Sequence, residues 1–145
     1  MKSALYTLLL SAVFIPLNVH AAPADDEALK QLATVFHNAR ATGNAKSFAD
    51  AAYISPEYCT STQSLEECRT SMAEYLALGW ENPNDRWKKN FTVQRIEYGN
   101  KKNQAVIHTT TTSVNGQPLI VRWKAIKIDG KWLSDNLGVE VDDAP

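Results

Sequence analysis

Two dipeptides constrain this chain more than any other feature. Asn115-Gly116 and Asp129-Gly130 separate three stretches rich in β-branched and alternating apolar residues, "QAVIHTTTTSV", "QPLIVRWKAIKI" and "KWLSDNL". Asn-Gly and Asp-Gly tolerate the positive φ that a two-residue hairpin turn demands, so an antiparallel meander is expected here. Ahead of it, "FTVQRIEY" reads as a further strand whose alternation slips between Val93 and Ile96, as a β-bulge would cause. The expected sheet therefore has about four strands.

Before Gly79 the apolar period is helical. Leu29, Leu32, Ala33, Phe36 and Ala39 form one stripe of a first helix capped by Asp25 or Asp26. His37 falls off that stripe and is expected to face solvent. A second helix is expected from Ala45 to Tyr53, ending before Ser55-Pro56. A third begins at Ser64, where Ser64 and Glu67 make a capping box. Its buried face should be Leu65, Cys68, Met72, Tyr75 and Leu76, with Gly79 as its end. Helices followed by a meander, without interleaving, define an α+β fold: three N-terminal helices packed on a curved antiparallel sheet.

Residues 1–21, "MKSALYTLLLSAVFIPLNVHA", carry a lone Lys2, an apolar run too short to span a membrane comfortably, and a small-residue exit. This pattern predicts a signal peptide cleaved after Ala21, with Ala22 as the second choice. Residues 22–145 would then be one periplasmic or secreted domain, with no membrane association after cleavage. The full chain has a formal net charge of −1, or −2 once Lys2 is removed, which argues against a nucleic-acid partner.

Two-residue turns would set the register. Pairing Val114 with Gln117 puts His108 opposite Trp123, and pairing Ile128 with Lys131 puts Trp123 opposite Asn136 and Lys127 opposite Trp132. His108, Trp123 and Asn136 would then share one face, with Trp132 beside them, as a candidate ligand pocket. That face, which would also carry Val106, Leu119, Val121 and Ala125, is expected to point at the helices. The opposite face would carry a Lys124–Asp135 cross-strand ion pair. Imidazole beside indole and amide suits either small-molecule binding or general-base chemistry, but a histidine packed at the core edge is the favoured reading. Trp80 and Trp87, on the connection "WENPNDRWKKN", are read as exposed partner anchors or as caps over the sheet opening.

The helices-then-meander order, with "VRWKAIKIDGKWLSDN" near the C-terminus, resembles the nuclear transport factor 2-like (NTF2-like) superfamily, in a bacterial exported form. The resemblance implies a cone with a pocket and makes a homodimer through the open sheet conceivable beside a monomer. It does not select an activity, because the superfamily holds isomerases, dehydratases and non-catalytic members. Its enzymes carry an Asp–His or Tyr–Asp arrangement that cannot be matched here residue by residue.

No nucleophile elbow, phosphate-cradling glycine loop or metal-spaced cluster occurs in the sequence, so no cofactor and no metal are expected. Cys59 and Cys68, the only cysteines, lack further ligands for zinc; in an oxidising compartment two thiols this close would join as a disulfide. The resulting expectation is an exported, non-catalytic binding or accessory protein, such as an immunity or envelope-system factor. It would recognise a protein partner or a small apolar ligand. The alternative is a small pocket enzyme using His108 as general base.

Overall fold

The computed structural model describes residues 23–144, apart from the side chains of Pro23 and Leu137. The expected signal peptide lies outside the described residues. Helix α1 (Pro23–Thr42) is followed by α2 (Ala45–Asp50), strand β1 (Ala52–Tyr53), α3 (Leu65–Trp80), β2 (Trp87–Tyr98), β3 (Gln104–Ser113), β4 (Pro118–Ile128) and β5 (Lys131–Asp143). The strands form one sheet in the order β1-β5-β4-β3-β2. Four long strands are antiparallel neighbours, and the fifth, β1, joins β5 in parallel. The sheet is curved and the helices pack on it, giving an α+β fold.

The expected stripe of α1, Leu29, Leu32, Ala33, Phe36 and Ala39, is buried. His37 is buried as well, against the expectation that it faces solvent. Helix α1 lies across the sheet and contacts both β2 and β5, so its covered arc is wider than an amphipathic surface helix would show.

The second helix stops at Asp50, short of the expected Tyr53. Ala52 and Tyr53 instead pair with Ser134 and Asp135, and Ser134 N–H donates to Ala51 O at 2.9 Å. Arg69 Nη1 donates to Ala49 O and Ala52 O at 2.6 and 2.8 Å, tying α3 to the end of α2 and the start of β1. This pairing supplies the strand missing from the expected four.

Helix α3 begins at the Ser64–Glu67 capping box, with both reciprocal hydrogen bonds formed. It runs through Gly79 to Trp80. Cys68 and Trp80 are its buried residues, whereas Leu65 and Tyr75, expected inside, are exposed. The helix rests mainly on short α2, which covers only a narrow arc of it.

The β4–β5 turn is the expected two-residue loop: Ile128 pairs with Lys131, and Asp129 and Gly130 have φ of 50° and 78°. The β3–β4 turn is one residue longer than expected. Ser113 N–H donates to Gln117 O at 2.8 Å across Val114-Asn115-Gly116, with Gly116 at φ 88°. Ser113 Oγ accepts from Gln117 N–H at 3.1 Å, which favours this wider closure. His108 therefore pairs with Arg122, and Ile107 pairs with Trp123. A one-residue slip moves alternate side chains to opposite faces. The inward face of β3 is accordingly Ile107, Thr109 and Thr111, with Val106 and His108 on the other side.

Candidate functional site

The expected pocket row does not assemble. Trp123 points inward and is 1 % exposed, with no hydrogen-bond partner for its Nε1. His108 stands on the outer face, its Nε2 3.2 Å from Glu97 Oε2 but off hydrogen-bond alignment. Glu97 is also 2.9 Å from Arg95.

Asn136 is displaced by a bulge in β5 that re-pairs Trp123 with Val139. It sits at φ 54°, where its Oδ1 accepts from Ser55 N–H at 2.8 Å and its Nδ2 donates to Asp135. This bulge also separates Lys124 from its expected partner: among the described residues no Lys124–Asp135 ion pair forms. Asn136 thus ties the loop after β1 to β5.

Trp132 lies at the rim, where its Nε1 and Lys127 Nζ both donate to Asp25 Oδ1, at 2.9 and 2.8 Å. These two hydrogen bonds, Lys127 foremost, hold the Asp25 carboxyl below its usual range. They staple the start of α1 to the β4–β5 hairpin.

Trp80 and Trp87 are buried rather than exposed. Arg40 lies between them, its guanidinium carbon 4.9 Å from one ring centroid and 5.0 Å from the other, while its Nη2 donates to Asp85 O at 3.0 Å. The tryptophans close one end of the core around a cation that α1 supplies. Cys59 and Cys68 form the expected disulfide beside Ala52, Ile54 and Met72.

The space between helices and sheet is filled by aromatic rings. Phe36 is at its centre, 4.8 Å from Phe48 and 5.3 Å from both Trp87 and Trp123, measured between centroids. Edge-on and tilted packing of this kind adds to the area term. His37 belongs to the same cluster: it stacks on Phe91, and its Nε2 is 2.8 Å from Thr109 Oγ1. Burial pushes its pKa down to about 4, so the imidazole is neutral at pH 7. Its Nδ1 has no hydrogen-bond partner.

The concavities lie at the margins. One, of about 780 Å³, runs between the first turns of α1 and strand β2, lined by Asp26, Lys30, Val93, Arg95, Ile96 and Lys102 among others. Tyr98 donates its hydroxyl proton to Asp26 at one end of it. Burial foremost, then this bond, raises the pKa of the phenol. A second groove of about 670 Å³ borders Leu32, Val35, Trp132 and Leu133. No described helix is long and apolar enough to cross a membrane.

No family model and no curated protein matches the sequence. Solved structures do match the fold. A domain of unknown function with a cystatin-like fold from Nostoc punctiforme has a TM-score of 0.59 at 12 % identity, covering 85 % of this chain and 79 % of that one. An NTF2-like protein of unknown function from Shewanella baltica gives 0.53 at 9 %, covering 86 % and 99 %. A candidate dehydratase of the NTF2-like family from Streptomyces avermitilis gives 0.56 at 13 %, covering 84 % and 97 %. The chain has the NTF2-like fold.

Proposed function

We propose that this chain is an exported accessory protein that binds a partner through its surface and turns nothing over. The observation that carries the reading is the filled interior: Phe36, Phe48, Trp80, Trp87 and Trp123 occupy the space between helices and sheet. That filling favours a macromolecular partner over a small apolar ligand in the cone. Export is supported by the leader pattern and by a disulfide that suits an oxidising compartment.

The catalytic alternative rests on a different observation. His108 and Glu97 approach to 3.2 Å, a base with a carboxylate beside it, but on the outer face of the sheet. General-base chemistry gains from enclosure that excludes water, and Glu97 is half exposed.

The test is chemical cross-linking of the mature chain in envelope extract of its native source, with His108→Ala in parallel. The reading predicts a saturable adduct of one defined mass, formed equally by both proteins. A turnover of ester or hydroxyacyl substrates that disappears in His108→Ala would contradict it.

A further inference from the structure

Strand β2 is an edge strand, paired only with β3. Its backbone phase can be read from the turn that follows. Gly99 N–H donates to Gln104 O at 2.8 Å, so the Gly99–Gln104 pair is a hydrogen-bonded one. In an antiparallel ladder such pairs alternate, so Glu97 and Arg95 direct their backbone groups at β3. Ile96 and Tyr98 then direct their N–H and C=O groups away from the sheet. Those two residues line the 780 Å³ groove. Open backbone groups, a neighbouring groove and alternate apolar side chains are what strand addition requires.

Charge selects the occupant. Lys30 and Lys102 border the groove, and no ion pair among the described residues uses either. Its one carboxylate, Asp26, is occupied by the Tyr98 hydroxyl. Lys88 and Lys89 extend the positive charge along the same strand. A second copy pairing edge to edge would bring these cations against their equivalents, which is the usual way an edge strand repels itself. The β-bulge between Val93 and Arg95 limits regular pairing to the short run Arg95–Tyr98.

We infer that the groove between α1 and β2 receives a short, extended, acidic polypeptide segment, which adds to the sheet beside Ile96 and Tyr98 while its carboxylates meet Lys30 and Lys102. This rests on the binding reading above and names its partner class.

The probe is a fluorescein-labelled heptapeptide, Glu-Val-Glu-Val-Glu-Val-Glu, titrated with the mature protein at low salt and followed by anisotropy. Amide exchange is recorded in the same complex. Saturable binding is expected, with slowed exchange at Ile96 and Tyr98. Exchanging glutamate for lysine in the peptide, N-methylating its valines, or using Lys30→Glu/Lys102→Glu protein should each weaken binding at least about tenfold. Both lysines are exposed, so the double variant should fold, and its melting curve checks that.

No saturation up to 1 mM protein would overturn the inference. Equal binding of the methylated peptide would overturn it too, by reducing the contact to charge alone. A protein dimer with Ile96 and Tyr98 already protected would replace the acidic segment by a second copy. A cross-linked partner seated elsewhere would sink this groove while leaving the binding reading intact.

Discussion

His37 lies flat against Phe91, with ring centroids 4.1 Å apart and planes 4° from parallel. A neutral imidazole fits this place and a charged one does not, which couples the fold to pH. The unfolded chain takes up a proton near pH 6.5, whereas the folded one resists until about pH 4. The folded state therefore binds fewer protons across that window. Its stability is complete above pH 6.5, falls as the pH drops toward 4, and receives no further loss from this group below that. The shift corresponds to about 3 kcal/mol in all. Urea unfolding should lose about 2 kcal/mol between pH 7 and pH 5, a range in which carboxylates contribute little. His37→Gln, which keeps a group able to reach Thr109, should be weaker at pH 7 but nearly flat over the same range.

Arg40 acts as the pin between Trp80 and Trp87. Replacing it with alanine removes cation–π attraction, the bond to Asp85 O and the packed stem together, and should cost about 2–3 kcal/mol in chemical denaturation. Arg40→Lys keeps the charge without the planar stack and should recover only part of that loss. Tryptophan emission should shift to longer wavelength in the alanine variant, because both indoles gain water.

The Cys59–Cys68 clip closes a loop with a sequence separation of 9 and holds the segment after β1 against the capped start of α3. On the loop-entropy model this contributes roughly 2–3 kcal/mol. Reduction with dithiothreitol should lower the melting temperature by several degrees and speed amide exchange around Ile54 and Met72. An unchanged melting temperature would remove the clip from the account.

The features legible in the sequence are those set by neighbours along the chain. Ser64 with Glu67 and Asp129 with Gly130 need only local geometry, and the structure has both as expected. The Asn115-Gly116 loop is one residue longer than the dipeptide alone indicates, and Ser113, outside the dipeptide, favours that closure by accepting from Gln117 N–H with its hydroxyl. That single residue carried His108 to the outer face and dissolved the expected pocket. Asn136 sits at a bulge in β5 and bonds a residue far along the chain, its Oδ1 accepting from the N–H of Ser55, which no local pattern announces. The polar connection around Trp80 and Trp87 leaves open whether they anchor a partner or cap the sheet, because the cation they pack against, Arg40, comes from α1. His37 looked solvent-facing because helical period says where a stripe lies, not how wide the covering surface is. The pairing of β1 with β5 joins residues too far apart for any local pattern to announce.

The space between the helices and the curved sheet is a packed core. The indole N–H of Trp123 reports on this directly, because it is buried in that interior with no hydrogen-bond partner. Its hydrogen exchange should be measured by NMR at pH 7 with increasing urea. Exchange as slow as that of the Ile107 amide, with the same urea dependence, is expected, since water reaches both only on global unfolding. Exchange orders of magnitude faster than Ile107 and insensitive to urea would mean a chamber open to solvent, and would contradict a packed interior.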